Sequence, residues 1–238
     1  MAAGEDERLT PDLVFIIAAL NEELGVGLTL SELRKLPGES YLLVVDGDSS
    51  DGTVSVARDH KAEIIVQGGE KGKGVAIGQG LEYLRELDMD CEYLAFTDAD
   101  YTYPAEHVPG MVEVLRKDRS VGMVVGDRFD RAHDFRRSMP GVFYYGNRLL
   151  ALSHSILNGV DLHDPLSGLR VVRWELLRDW RPKSKSFDIE VELNHRVLKL
   201  GYGIVELPIQ YRPRLGDKKL KAKHGLIILR RIMAESLG

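Results

Sequence analysis

The stretch YLAFTDADYTYP, residues 93–104, joins a short apolar run to two carboxylates. The run at residues 93–96 has the length and composition of a buried strand, and it leads into Asp98-Ala99-Asp100. Carboxylates are costly to bury without a partner, so this pair is expected to face water or a cation. Positions i and i+2 of an extended strand point to opposite faces, so the two carboxylates can bind one ion only if the chain bends between them. Residues 101–104 supply such a bend.

An Asp-x-Asp sequence has two interpretations. A site with few oxygen ligands suits Mg²⁺ or Mn²⁺, which complete their coordination with water and with a substrate's phosphates. A solvated turn is the commoner outcome for such a short motif taken alone. The rest of the chain has to decide between the two.

Composition indicates a globular protein with one substantial domain. The chain has 238 residues, of which 44% are hydrophobic and 29% charged. A single cysteine, Cys91, allows no disulfide within the chain and favours a reducing compartment. No apolar stretch is long enough to span a membrane, and the N-terminal sequence MAAGEDERLT lacks a signal-peptide pattern.

Predicted strands and helices alternate through the first half of the chain. The predicted strands cover residues 13–19, 41–45, 63–66, the run ending at Asp98, and 121–125. The predicted helices cover residues 30–36, 54–60, 75–87 and 105–117. This alternation is typical of an α/β fold, in which helices cover both faces of a parallel sheet and ligands bind where the strands end.

Polar residues follow each of these strands. Asn21-Glu22, residues 46–51, Lys71 and Lys73, and the Asp98-Asp100 pair would all meet at one edge of the sheet. The glycines form neither the dinucleotide-binding fingerprint nor the P-loop motif. The sequence therefore predicts a polar ligand site of another kind at that edge.

The order of these motifs resembles that of family 2 glycosyltransferases of the GT-A fold. The matching segments are A-x-N-E at 19–22, V-D-x-x-S-x-D-G-T at 45–53, G-K-G-x-A-x-x-x-G-L at 72–81 and D-A-D at 98–100. In the second half GDRF at 126–129, GNRLL at 146–150, DPLSGLR at 164–170, GYGIVELPI at 201–209, YRPR at 211–214 and KKL at 218–220 are similar to dolichol-phosphate and polyprenyl-phosphate mannose and glucose synthases. The resemblance implies a Rossmann-like, mostly parallel central sheet and covers residues 13–229.

The resemblance assigns roles to individual positions. It implies that the nucleotide sugar is bound by Ala19, Asn21, Glu22, Asp46, Asp48, Lys73, Asp98, Ala99, Asp100 and Asp188. Asp98 and Asp100 are the implied ligands of Mg²⁺ or Mn²⁺. Arg128 and Arg148 are implied to hold the acceptor phosphate, a task that suits the planar, permanently charged guanidinium. Asp100, Arg128 and Arg148 are the residues with an implied catalytic role.

Several of these residues also have a purely structural interpretation. Asp46 and Asp51 can stabilise a turn and cap the next helix, and Lys71 and Lys73 can be solvated loop charges. Surface ion pairs are the alternative for the two arginines. Because relatives carry acids at Asp188, Glu190 and Glu192, the resemblance implies that one of them could offer a carboxylate to the sugar hydroxyls. The same three residues have the spacing of an exposed helical face, which is the favoured interpretation for Glu192, with Val191, Leu193 and Val197 pointing inward. His163 is expected to be a loop residue, and Asp164 and Ser167 to shape that loop.

Three positions depart from the pattern of the family. Ala18 stands where many relatives have proline, and Gly47 where many have a second aspartate. Thr102 stands where mannose synthases often have a glutamine that assists the metal. The first two leave the nucleotide base open, and the third leaves the next metal ligand open.

The C-terminal segment differs in charge from the rest of the chain. Residues 212–238 contain eight Lys and Arg and two acidic residues, a local charge of +6. Since the whole chain has a net charge of −5, residues 1–211 have a net charge of −11. Basic residues between Lys218 and Arg231 alternate with apolar ones, a pattern typical of a helix in the lipid headgroup region. The alternative is a helix docked on the protein's own core. We therefore expect a catalytic domain at 1–211 and a basic loop and amphipathic helix at 212–238.

The resemblance implies an inverting, metal-dependent hexose transfer to dolichyl or polyprenyl phosphate, at the cytoplasmic face of a membrane. The favoured donor is GDP-mannose. UDP-glucose, or a different lipid acceptor, is the alternative within this class. A nucleotide-sugar-binding module without catalytic activity is the alternative from another class, and no nucleic-acid partner is expected.

Overall fold

The computed structural model describes residues 11–129 and 141–236. The sequence MAAGEDERLT at residues 1–10 and the end of the predicted tail, residues 237–238, lie outside the described residues. Seven described strands form one sheet in the order β3-β2-β1-β4-β6-β5-β7. The strands are β1 (Leu13–Ala19), β2 (Ser40–Asp46), β3 (Glu63–Val66), β4 (Tyr93–Asp98), β5 (Val121–Asp127), β6 (Arg170–Arg173) and β7 (Gly203–Pro208).

All pairings in this sheet are parallel except those of β6, which runs antiparallel to both β4 and β5. The α/β class and the mostly parallel sheet predicted from the sequence are confirmed. Since the remaining strands share one direction, their C-terminal ends lie along a common edge, called here the carboxyl edge.

The helices cover both faces of the sheet. They are α1 (Glu23–Leu33), α2 (Thr53–Asp59), α3 (Lys73–Glu86), α4 (Val108–Lys117), α5 (Gly141–Asn158), α6 (Ile189–Lys199) and α7 (Ala222–Glu235). Alternate residues of β1 belong to two apolar clusters, Phe15 and Ile17 to one and Val14 and Ile16 to the other. A strand buried on both faces reads as a continuous apolar run, which explains the sequence LVFIIAA.

Helix α1 begins at Glu23, so the predicted start at residue 30 is wrong. Its first half, ELGVGLT, contains two glycines and a β-branched valine, which disfavour a helix when judged alone. Packing explains the difference. A Cβ on Gly25 would lie 2.7 Å from the carbonyl oxygen of Ala99, so only glycine lets the helix approach the bend after β4 this closely.

Helix α7 lies where the sequence predicts an amphipathic helix, but part of its apolar surface is used within the protein. Ile228 and Ile232 are buried in a cluster with Val191 of α6. Leu226 and Met233 remain exposed. The helix therefore docks on the body of the protein through one side and presents another to its surroundings. Within residues 11–129 and 141–236, none of the helices has both the length and the apolar character needed to cross a membrane.

Candidate active site

The two aspartates of the Asp98-Ala99-Asp100 sequence lie at the carboxyl edge, in the middle of the sheet. β4 ends at Asp98, and the chain bends at once through residues 99–101, with Tyr101 at a φ of +65°. Positive φ is uncommon for residues other than glycine and is often found at functional sites. The bend that the sequence requires for a shared ion is therefore present, and Asp98 and Asp100 are called the acidic pair below.

Close backbone contacts hold the acidic pair in place. Gly25 of α1 packs against the Ala99-Asp100 backbone from one side. From the other side, a Cβ on Gly168 would lie 2.8 Å from a carboxylate oxygen of Asp98. A side chain at either glycine would push into the pair, so the position of the two carboxylates is fixed by packing as well as by the strand.

Lys73, at the start of α3, is partly buried and contacts Asp98. Its Nζ lies 2.7 Å from Oδ1 of Asp98 and 2.8 Å from Oε1 of Glu190. Burial alone would lower the pKa of Lys73, but the two carboxylates outweigh it and raise the pKa above its ordinary value. Burial would likewise raise the pKa of Asp98, but Lys73 outweighs it and lowers the pKa. Both groups are therefore charged at neutral pH, and Lys73 is not a solvated loop charge.

Asp100 is held by a residue that lies far away in the sequence. Nη1 of Arg214 lies 3.3 Å from Oδ2 of Asp100, and the same guanidinium donates a hydrogen bond to Glu22. Burial, followed by the charge of Asp98, raises the pKa of Asp100. Burial also raises the pKa of Glu22 to about 6, despite Arg214 and Lys219. Burial therefore disfavours the charged forms of Asp100 and Glu22, although Arg214 contacts both carboxylates.

The hydroxyl of Thr102 supports Asp100. Thr102 is fully buried, and its Oγ1 donates a hydrogen bond of 2.6 Å to Oδ1 of Asp100. The threonine at this departure from the family pattern therefore orients one of the acidic residues. Among the described residues, no group of three or more His, Cys, Asp or Glu side chains could hold a metal ion by itself.

Two cavities meet at the acidic pair. The large cavity, of about 460 Å³, is lined by Ala19, Glu22, Gly47, Gln67, Lys73, Asp98, Ala99, Phe187, Arg214 and Lys219, among others. The small cavity, of about 100 Å³, is lined by Asp98, Asp100, Tyr103, Arg128, Asn147, Leu166, Lys218, Leu220 and Ile228, among others. Lys73, Asp98, Phe187 and Arg214 line both.

Three predicted nucleotide-binding residues, Asn21, Asp46 and Asp48, are not among the residues that line the large cavity. Asp46 is 1% exposed, and its carboxylate accepts hydrogen bonds from the backbone N–H and the hydroxyl of Ser49. Oδ1 of Asn21 accepts a hydrogen bond from the backbone N–H of Ser50 at 2.8 Å. Asp48 is exposed and forms an ion pair with Lys71. In this structure Asp46 stabilises the turn after β2 and Asp51 accepts hydrogen bonds from Thr53 at the start of α2, as the structural interpretation of these two residues proposes. Asn21 also supports that turn, a role that the sequence did not predict.

Arg128 lies at the end of β5 and is buried. Its Nε and Nη2 donate hydrogen bonds of 2.6 and 2.8 Å to the two carboxylate oxygens of Asp164. Its guanidinium also lies 5.4 Å from the ring centroid of Tyr211, within the range of a cation–π contact. A surface ion pair is therefore the wrong description of Arg128, which is a fixed cation in the wall of the small cavity.

Arg148 lies on α5, near the same loop but in a more open position. Its Nη1 donates a hydrogen bond of 3.2 Å to the carbonyl oxygen of His163. Its neighbour Asn147 lines the small cavity. The pKa of Lys218, in the wall of that cavity, is lowered to about 8 by burial and by the charges of Arg214 and Arg128. The wall of the small cavity therefore contains three neighbouring cationic side chains, those of Arg128, Arg214 and Lys218.

The three acidic residues around the start of α6 are buried, so the expected exposed face is wrong. Asp188, Glu190 and Glu192 are 5–7% exposed. Glu192 accepts hydrogen bonds of 2.7 and 2.6 Å from the backbone N–H groups of Lys183 and Ser184. Asp188 lies 2.9 Å from Nε of Arg231, so α7 covers this face. Asp188 lines neither cavity, whereas Glu190 reaches the small one.

The profile of the family described as glycosyl transferase family 2 matches residues 14–180, which is more than half of the chain. The chain belongs to glycosyl transferase family 2. It is 34% identical over 212 residues to the dolichyl-phosphate hexose transferase of Haloferax volcanii, a match that covers 88% of this chain and 86% of that one. It is 30% identical to the undecaprenyl-phosphate mannosyltransferase of Micrococcus luteus, with 86% of each chain covered.

Solved structures establish the fold of this glycosyltransferase as GT-A. Glucosyl-3-phosphoglycerate synthase from Mycobacterium tuberculosis, in complex with phosphoglyceric acid, superimposes with a TM-score of 0.74 at 19% identity, covering 95% of this chain and 80% of that one. The same enzyme in complex with Mn²⁺, UDP-glucose and phosphoglyceric acid gives a TM-score of 0.71. The similarity to these structures concerns the fold alone.

Several residues of this glycosyltransferase site had no role in the sequence-based prediction. Arg214 and Lys219 come from the segment after β7, and Phe187 from the residues before α6. The signal for Arg214 was present in the YRPR motif at 211–214, where an arginine repeats within a segment similar to the family. Glu190, one of the three acids considered as a carboxylate for the sugar hydroxyls, lines the small cavity, but helical periodicity alone could not distinguish it from an exposed residue.

Proposed function

We propose that this glycosyltransferase transfers a hexose from a nucleoside diphosphate sugar to a polyprenyl or dolichyl phosphate, with inversion at the anomeric carbon. The observation that carries the proposal is the meeting of a large and a small cavity at the acidic pair. The large cavity has room for a nucleotide sugar, and the small cavity adds Arg128 and Lys218 to an apolar wall of Leu166, Leu220 and Ile228.

The acidic pair suits Mg²⁺ or Mn²⁺. Burial and the charge of Asp98 raise the pKa of Asp100, and burial also raises the pKa of the neighbouring Glu22. A divalent cation bound by the acidic pair would offset the repulsion between Asp98 and Asp100. The remaining positions of its coordination shell would be filled by water and the diphosphate. When bound, such a cation stabilises the charge that develops on the departing diphosphate. Lys73 and Arg214 supply further positive charge where both cavities meet.

The acceptor explains why the site needs no general base. The second pKa of a phosphate monoester is about 6, so the acceptor is largely dianionic at neutral pH and can attack without losing a proton to the protein. Arg128 and Arg148 would hold this phosphate and orient one oxygen towards the anomeric carbon, as fixed cations do in phosphate sites generally. Attack from the face opposite the diphosphate inverts the configuration.

GDP-mannose is our favoured donor. The Micrococcus luteus relative is named a mannosyltransferase, whereas the structural neighbour binds UDP-glucose. Titration calorimetry with GDP-mannose and with UDP-glucose, each with and without Mn²⁺, is expected to give tight binding of GDP-mannose only with the cation. Polyprenyl phosphate must then be converted to its glycosyl ester. Binding without turnover would replace this proposal by a nucleotide-sugar-binding module, and tight UDP-glucose binding would reassign the donor.

The proposed location of the enzyme is the cytoplasmic surface of a membrane, which it would contact mainly through helix α5. Tyr145, Leu149, Leu152 and Ile156 are 57–72% exposed, and their spacing of four, three and four residues puts them on one face of α5. The helix contains no acidic residue. Leu226 and Met233 of α7, which packs against α5, extend this apolar face. We infer that residues 212–238 complete this membrane-facing side of a catalytic domain at 1–211.

Changing Leu149 and Ile156 together to glutamate is expected to reduce co-sedimentation with phospholipid vesicles by at least tenfold, because burying each side chain in lipid is worth about 1.5–3 kcal/mol. Turnover of a short, water-soluble polyprenyl phosphate should be unchanged. Leu87→Glu, at a leucine that is 43% exposed and directly follows α3, is the control. Equal vesicle binding by all three proteins would remove α5 from the proposed interface.

A further inference from the structure

Glu206 of β7 accepts hydrogen bonds from the backbone of a loop that contacts both Arg128 and Arg148. Its Oε1 accepts a hydrogen bond of 2.6 Å from the backbone N–H of Asp164, and its Oε2 accepts one of 2.6 Å from the backbone N–H of His163. We propose that Glu206 is a positioning residue for the acceptor phosphate, because it fixes the dipeptide His163-Asp164 that holds Arg128 and Arg148. This inference rests on the proposed function.

The dipeptide connects the two arginines through different groups. The carboxylate of Asp164 accepts hydrogen bonds from Nε, Nη2 and the backbone N–H of Arg128. The carbonyl oxygen of His163 accepts one from Arg148. Arg128 directly follows strand β5 and Arg148 belongs to helix α5, so the distance between their guanidinium groups depends on how this loop is held. A phosphate bound by both arginines requires that distance to be reproducible to within about 0.5 Å.

The position of Glu206 makes it a rigid support. β7 pairs with β5, and Glu206 lies opposite Val125, three residues before Arg128. The side chain is partly buried, and burial raises the pKa of Glu206 despite the two backbone hydrogen bonds. Asp127 and Asp164 lie close enough to raise it further. Placing the carboxylate of Glu206 beside those of Asp127 and Asp164 is electrostatically unfavourable for the folded state. Its two hydrogen bonds to the backbone of the dipeptide offset this unfavourable interaction.

A carboxylate is the side chain that can accept both backbone hydrogen bonds at once. A glutamine of nearly the same shape offers one oxygen and turns an N–H₂ group towards the second backbone N–H. The Glu206→Gln change therefore releases one end of the dipeptide without creating a void. Neither Glu206 nor His163 lines the large cavity, so the affinity for the nucleotide sugar should be unchanged in Glu206→Gln.

The test compares Glu206→Gln and Glu206→Ala with the unchanged enzyme in steady-state assays with polyprenyl phosphate as the varied substrate. We expect the KM for polyprenyl phosphate to rise about 10- to 100-fold, since small displacements of positioning groups have effects of this size. The kcat at saturating acceptor and the Kd of the nucleotide sugar measured by calorimetry should stay within about twofold of the unchanged enzyme. Glu63→Gln, a strand glutamate that accepts a hydrogen bond from Tyr83 at the opposite edge of the sheet, is the control.

The outcomes separate this inference from the proposed function. An unchanged KM in both Glu206 variants, together with a raised KM in Arg128→Lys, would overturn the positioning role and leave the acceptor site standing. An unchanged KM in Arg128→Lys would overturn both. A fall in donor affinity equal to the fall in acceptor affinity, or a lowered urea midpoint that accounts for the lost activity, would show that Glu206 supports the fold alone.

Discussion

Replacing Asp100 by alanine should abolish hexose transfer, with a loss of at least a thousandfold in kcat/KM. The diphosphate can leave only if the charge that develops on it is stabilised, and the acidic pair is the feature of the described structure that can hold a cation at the junction of the two cavities. Stabilisation of this kind is usually the largest single contribution to a transfer reaction. Binding of Mn²⁺ in the presence of GDP or UDP, followed by electron paramagnetic resonance, should weaken in parallel.

The Asp100→Ala variant should remain folded. Asp100 has a raised pKa because it is buried beside Asp98, so as an anion at neutral pH it destabilises the native state rather than supporting it. Arg214 keeps Glu22 as a partner when Asp100 is removed. The urea midpoint is therefore expected to be equal or higher. An increase in stability with a loss of activity is typical of a residue that is retained for function.

Asp59→Ala is the control for this experiment. Asp59 ends α2 and is exposed, so its removal changes the net charge by the same amount without touching either cavity. Transfer by Asp100→Ala at the normal rate in saturating Mn²⁺ would exclude the proposed cation role of the pair. Asp100→Asn, which keeps the shape of the side chain, should behave like the alanine variant, because the charge binds the cation.

The strands and the acidic pair could be predicted because their signals are local. A run such as LVFIIAA needs only its own composition to be identified as a buried strand, and the Asp98-Ala99-Asp100 sequence follows one directly. The need for a bend between the two aspartates is also a property of the backbone. The structure shows that bend at residues 99–101.

Residues brought together from distant parts of the chain could not be predicted in the same way. Arg214 bonds to Glu22 across 192 positions of sequence, and neither residue carries a pattern that names the other. Glu192 has the spacing of a surface helix, yet it is buried because α7 folds back and places Arg231 against this region. Helix α1 was predicted to start too late because its glycines look unfavourable until the contact with Ala99 is known.

Removing the charge of Arg128 should raise the KM for polyprenyl phosphate by about a hundredfold and leave donor affinity nearly unchanged. Arg128 lines the small cavity and is not among the residues that line the large one, which would hold the nucleotide. A guanidinium has five N–H donors, and the pairing with Asp164 uses two through its side-chain nitrogens, so donors remain for a phosphate. Hydrogen bonds between charged groups contribute about 1.5–3 kcal/mol each, and 1.4 kcal/mol corresponds to a factor of ten.

The variants for this test must separate phosphate binding from folding. Arg128→Ala leaves the buried carboxylate of Asp164 without its partner, a change that costs about 3–5 kcal/mol of stability in comparable pairs. Arg128→Met combined with Asp164→Asn removes both charges and should fold normally, as judged by its urea midpoint. Arg34→Ala, a surface arginine at the end of α1, controls for charge. If the double variant lost donor and acceptor affinity equally, Arg128 would belong to the nucleotide side of the site, whereas an acceptor-specific loss would establish that its cation receives the attacking phosphate.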